Sequence, residues 1–119
     1  MDKRVYLLAS TFAVLAFLAV GTARAEEGNA VHYSNKFQGK KTASGEVFDQ
    51  KLLTGAHKKL PFGTEVKVTN LENNQSVVVK INDRMARKNR NAIDLTWRAA
   101  SELGFEKKGR ARVRIEPAK

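Results

Sequence analysis

Three short stretches alternate apolar and polar residues with a period of two, and that spacing constrains this chain more than any other feature. In "TEVKVTN", Val66 and Val68 share one face against Glu65, Lys67 and Thr69. In "SVVVKIN", Val77, Val79 and Ile81 line up in the same way. In "RARVRIE", Ala111, Val113 and Ile115 oppose Arg110, Arg112, Arg114 and Glu116. Successive side chains of a strand point to opposite faces, so each stretch reads as a strand with one buried side. The first two are joined by "LENNQ", whose Asn73-Asn74 tolerates the left-handed backbone of a hairpin turn.

The rest of the chain is punctuated by turns. Pro61 and Gly63 in "KKLPFGTEV" predict a sharp entry into the first alternating stretch. "AIDL" is a further short strand candidate. After it Thr96 is placed to cap a helix of about two turns, with Ala99, Ala100 and Leu103 facing inward and Gly104 ending it. Many short strands with one or two small helices in residues 31–116 predict a small closed β-barrel. A sandwich usually takes about 100 residues of strand structure. Residues 26–30 read as a short polar lead-in.

The first residues have the order of a secretory signal peptide. Met1-Asp2-Lys3-Arg4 is followed by the apolar run Val5 to Val20, and then by the small residues of Gly21-Thr22-Ala23-Arg24-Ala25. Cleavage after Ala25 is expected, since Ala23 and Ala25 stand where a signal peptidase needs small side chains. The competing reading is a retained anchor, since the run lies just below the ~17–25 residues that span a bilayer, and the two alanines favour cleavage over it. The chain has no cysteine, which excludes a disulfide scaffold and a lipid anchor through an N-terminal cysteine. The protein is thus expected to be exported to a bacterial periplasm or secreted, without a lipid anchor and without stable membrane insertion after cleavage. Its net charge of +10 points to an anionic partner. Export separates it from nucleic acid and leaves wall polymers and head groups. Scattered Lys and Arg are equally compatible with a solvated face.

Several chemistries are absent. Without cysteine and with only His32 and His57, neither a thiol nucleophile nor a zinc site of ordinary spacing can be assembled. Ser44, His57 and Asp83 supply the residue types of a triad, but no serine lies in a nucleophile elbow. No phosphate-binding glycine loop is present. What remains are polar residues where strands meet turns: Glu46 in "TASGEVFD", His57 in "TGAHKKLPFGT", and Asp83 at the end of an otherwise Val/Ile strand. A carboxyl partly desolvated at a barrel mouth can hold its proton toward neutral pH and donate it. Each residue also has a structural reading, as turn residue, core histidine or backbone cap. Phe37, Phe48, Phe62, Trp97 and Phe105 are scattered, which suits core or groove-lining positions better than a protein-binding hot spot.

Taken together, "GKKTASGEVFD", "LTGAHKKLPFGTEVKVTNLENNQSVVVKINDR" and "AIDLTWRAASELG", in this order and spacing, resemble the RlpA-like (rare lipoprotein A) family of bacterial envelope proteins. The resemblance runs from Ala30 to Ile115. It implies a six-stranded double-psi β-barrel and a lytic transglycosylase that cleaves peptidoglycan glycan strands, preferring strands without stem peptides. It carries Glu46, His57 and Asp83 onto the family's active-site positions, with Asp83 as acid/base and Glu46 and His57 orienting the sugar or tuning it. Arg84 would hold the following loop and, with Tyr33 and Asn82, meet the substrate. No metal or other cofactor is implied, and a monomer is expected. The competing reading is a non-catalytic wall-binding barrel like that of expansins, using the basic loop Arg87-Lys88-Asn89-Arg90-Asn91.

Overall fold

The computed structural model describes residues 25–118, so the signal peptide expected over residues 1–25 lies, but for Ala25, outside the described residues. Six strands are arranged around one interior. They are β1 (Glu26–His32), β2 (Thr54–His57), β3 (Glu65–Asn70), β4 (Ser76–Arg84), β5 (Ile93–Leu95) and β6 (Arg110–Pro117), with one helix, α1 (Trp97–Glu102), between β5 and β6. The sheet closes on itself in the order β1-β5-β2-β4-β3-β6. The pairs β1/β5 and β2/β4 are parallel and the other four are antiparallel. Closure leaves no free sheet edge, which is how so short a chain satisfies its backbone.

The three alternating stretches are β3, β4 and β6, and the expected faces point inward. Val68, Ile81 and Val113 are fully buried, and Val66, Val79 and Ile115 nearly so. Each such side chain contributes about 1.5–3 kcal/mol by leaving water, so truncating Ile81 or Val113 to Ala would threaten the whole barrel. The β3–β4 turn has Asn74 at φ 63°, as its sequence required. Thr96 caps α1 by accepting from the Ala99 amide, and Ala99, Ala100 and Leu103 are completely buried.

Two segments differ from expectation. Residues 26–30 are no lead-in: they form most of β1, pairing with β6 from Glu26↔Ile115 to Ala30↔Ala111. Their polar composition hid this, because only Ala30 of the five is buried while the backbone hydrogen bonds do the holding. The second is β2, "TGAH", which has no apolar alternation. It is a central strand because Gly55 lets β5 come close: a Cβ there would lie 3.0 Å from Leu95 Cδ2 and 3.1 Å from the Asp94 carbonyl oxygen.

Candidate active site

The site lies on the outer surface of the wall made by β4, β2 and β5. Ile93 and Leu95 are fully buried in the barrel, so Asp94 between them points outward. Gly55 faces those two core side chains, so the next residue, Ala56, also points outward, and Ala56 pairs with Asp94. On its other side Ala56 pairs with Asp83, across a β-bulge: Gly55 is opposite Ile81, and Ala56 is opposite Asp83, leaving Asn82 as the extra residue. Strict alternation from Val77, Val79 and Ile81 would send Asp83 into the core. The bulge reverses it and brings Asp83 onto the outer face, in one row with Ala56 and Asp94. By ordinary strand spacing the two aspartates are roughly 10 Å apart at the backbone, with their side chains free to converge.

The surroundings of the two carboxyls are opposite in kind. Asp83 accepts three hydrogen bonds: from the Tyr33 hydroxyl at 2.6 Å, the Ala43 amide at 2.9 Å and the Arg84 amide at 2.9 Å. Tyr33 follows β1 and packs its ring on Phe48, with centroids 4.3 Å apart. Burial first, then the bond to Asp83, pushes the Tyr33 hydroxyl well above its usual range, so it is a fixed proton donor. Asp94 has no such company. Its Oδ1 is buried without a partner among the described residues. Burial raises its pKa to about 6; His32 nearby lowers it, and the charge of Asp83 adds to the rise.

The other expected site residues are divided between two faces. Glu46 lies beside the row: its carboxylate takes Lys80 Nζ at 2.8 Å and Asn82 Nδ2 at 3.1 Å, and these two bonds lower its pKa. Glu46 is therefore ionised. Asn82, expected to meet substrate, is only 4% exposed and instead ties down the loop, its carbonyl accepting from Ser44 and its amide donating to Glu46. His57 follows Ala56 and so points the other way, into the barrel, where it is 5% exposed. Its Nδ1 accepts from the Lys59 and Leu60 amides, and Nε2 lies 2.9 Å from Glu26 Oε1. With both ring nitrogens committed, the ring does not face Asp83, contrary to its expected place in the active site. What His57 offers the site is its carbonyl, which accepts from Arg84 Nη1 and from the Met85 amide. Arg84 also lies 4.5 Å from the Phe62 ring. These contacts tie the end of β4 to β2 and to Phe62.

Asp94 was not among the residues singled out in the sequence. The signal was present, an ionisable residue between two core residues of a short strand, but the sequence does not show how far the assembled wall takes it out of water. Among the described residues, no three His, Asp or Glu side chains converge as metal ligands.

The sequence profile of a family described as "Lytic transglycolase" matches residues 25–115. The chain belongs to this lytic transglycolase family. It is similar to the probable endolytic peptidoglycan transglycosylase RlpA of Treponema pallidum, at 44% identity over 99% of this chain and 37% of that protein. To the endolytic peptidoglycan transglycosylase RlpA of Haemophilus influenzae it is 48% identical, over 76% of this chain and 32% of the relative. The chain thus spans about a third of the length of these curated relatives. Among solved structures the lytic transglycolase barrel resembles Streptomyces papain inhibitor, with a TM-score of 0.64 at 19% identity, covering 79% of this chain and 94% of that one. It also resembles a Clavibacter michiganensis expansin, with a TM-score of 0.62 at 21% identity, covering 80% and 50%. At such identities these two likenesses are of fold alone, and they agree with the closed six-stranded double-psi barrel that the sequence resemblance implied.

Proposed function

We propose that this protein is an exported, monomeric lytic transglycosylase that cuts peptidoglycan glycan strands, preferring those stripped of stem peptides, and leaves 1,6-anhydromuramic ends. The observation that carries this reading is the pair of unlike aspartates beside Ala56 on the outer wall of a barrel of this family, Asp83 held by three donors and Asp94 with one buried oxygen that has no partner among the described residues. In such a reaction the muramic acid's own 6-hydroxyl replaces water as nucleophile. The carboxyl that holds its proton is Asp94, and it is the acid that protonates the departing glycosidic oxygen. As C1–O4 breaks, the 6-oxygen bonds to C1 and its proton passes to Asp83, whose three bonds are all accepted ones. Proton exchange with solvent restores both groups. This moves the acid role from Asp83, where the resemblance put it, to Asp94, and keeps Asp83 as base. Tyr33 positions Asp83, while Arg84 fixes the loop beyond it.

The test is incubation of the purified protein with glycans bearing and lacking stem peptides, with mass spectrometry of the ends. Anhydromuramic products from the wild type, and none from Asp94→Asn or Asp83→Asn, are expected. Full activity in Asp94→Asn would remove the acid from this scheme, and glycan binding without any cleavage would instead make the barrel an expansin-like wall binder.

A further inference from the structure

The segment between β1 and β2 meets the start of α1 at a surface groove of about 390 Å³, lined by Asn35, Gln50, Lys51, Trp97 and Arg98. That is within the ~300–1,000 Å³ typical of small-molecule sites. None of these residues was expected to take part in function, except Trp97 as a core or groove-lining aromatic. Trp97 is 48% exposed, the largest side chain in the chain left so open.

The groove is built, and one residue builds it. Gln50 Oε1 accepts the Trp97 amide at 2.6 Å, and Gln50 Nε2 donates to Asn35 Oδ1 and to the Tyr33 carbonyl, both at 3.0 Å. The Gln50 amide in turn donates to Gln38 Oε1 at 2.8 Å. Arg98 is fixed as well: Nη1 donates to the Lys51 carbonyl at 3.1 Å and Nε to Glu102 at 2.9 Å, leaving Nη2 outside these bonds. The result is an open indole face, a side-chain amide and two cations. An indole face suits the C–H face of a pyranose, and paired cations suit a carboxylate. The groove is tied to the Asp83 site through Tyr33, whose carbonyl accepts from Gln50 Nε2 and whose hydroxyl donates to Asp83.

We infer that this groove is a second saccharide subsite, which stacks a pyranose of the same glycan on Trp97 and binds the free lactyl carboxylate of a muramic acid through Lys51 and Arg98. The inference rests on the glycan-cleaving function proposed above and adds a place where that strand is held and its carboxylate read. A muramic acid without a stem peptide bears this carboxylate, so the groove supplies a physical reason for choosing bare strands.

Trp97 is the single tryptophan of the chain, so its fluorescence reports on the groove directly. Stem-free muramic-acid oligosaccharides are titrated into the Asp83→Asn protein, with amide NMR shifts around Asp83 read in parallel, and chitin oligosaccharides, which lack the carboxylate, as the comparison. A saturable change in Trp97 emission is expected, with affinity about tenfold higher for the carboxylated glycan, and this preference is lost in Lys51→Gln/Arg98→Gln. Shifts around Asp83 without a change in Trp97 emission would overturn the subsite and leave the proposed function standing. Absence of binding by both readouts would overturn the function, and the subsite with it. Equal affinity for the two glycans, with Trp97 responding, would overturn the carboxylate assignment.

Discussion

Asp83 and Asp94 flank the same residue, Ala56, on the same face of the same wall, yet their surroundings are opposite in kind. Asp83 is surrounded by donors from three parts of the chain. Asp94 is half-buried on the outer face of the wall, with one oxygen buried and without a partner among the described residues. Solvation, not residue type, sets them apart: one carboxyl has its water replaced by hydrogen bonds, and the other has it removed. The proposed division into an acid and a base rests on this difference in surroundings.

The sharpest way to break this comparison is through activity. Asp94→Asn and Asp83→Asn should each lower kcat by about 10²–10⁴-fold with the fold retained, as measured by anhydromuramic end formation alongside circular dichroism. In the wild type kcat/KM should fall as pH rises through about 6, where Asp94 loses its proton. A profile flat across that range would deny Asp94 the acid role.

Stability gives a second, independent comparison. The folded state holds the Asp94 proton to about pH 6, against 3.8 for the ordinary group, so it binds more protons than the unfolded chain within that window. Stability therefore falls as pH rises from 3.8 to 6, by up to about 3 kcal/mol. Urea unfolding should show Asp94→Asn gaining on the wild type by that amount across the window, with no further change above it.

Smaller effects sharpen the boundary of the site. His57→Ala strips the Lys59 and Leu60 amides of their acceptor and should cost about 1–3 kcal/mol in unfolding free energy, without altering the pH profile of the folded enzyme. An altered profile would return the His57 ring to the chemistry. Tyr33→Phe, which takes one of the three donors from Asp83, should cost about 1 kcal/mol and lower kcat more than it raises KM. Least of all, Glu46→Gln breaks an exposed ion pair with Lys80 and should change stability by under about 1 kcal/mol in thermal unfolding.

The sequence by itself determined which faces are buried. A period of two along β3, β4 and β6 needs no knowledge of neighbours, and the Thr96 cap and the Asn74 turn are local matters of backbone and side chain. Family motifs also marked Asp83, which is on the site wall, and Glu46, which lies beside it. Tertiary structure decided the rest. Residues 26–30 and "TGAH" are strands only because β6, β4 and β5 offer them hydrogen bonds, which no pattern within those segments records. The bulge at Asn82 exists only in the pairing of β4 with β2, and it turns Asp83 outward while His57 stays within. The proton on Asp94 depends on what covers it, and desolvation is a property of the assembled wall rather than of the residue.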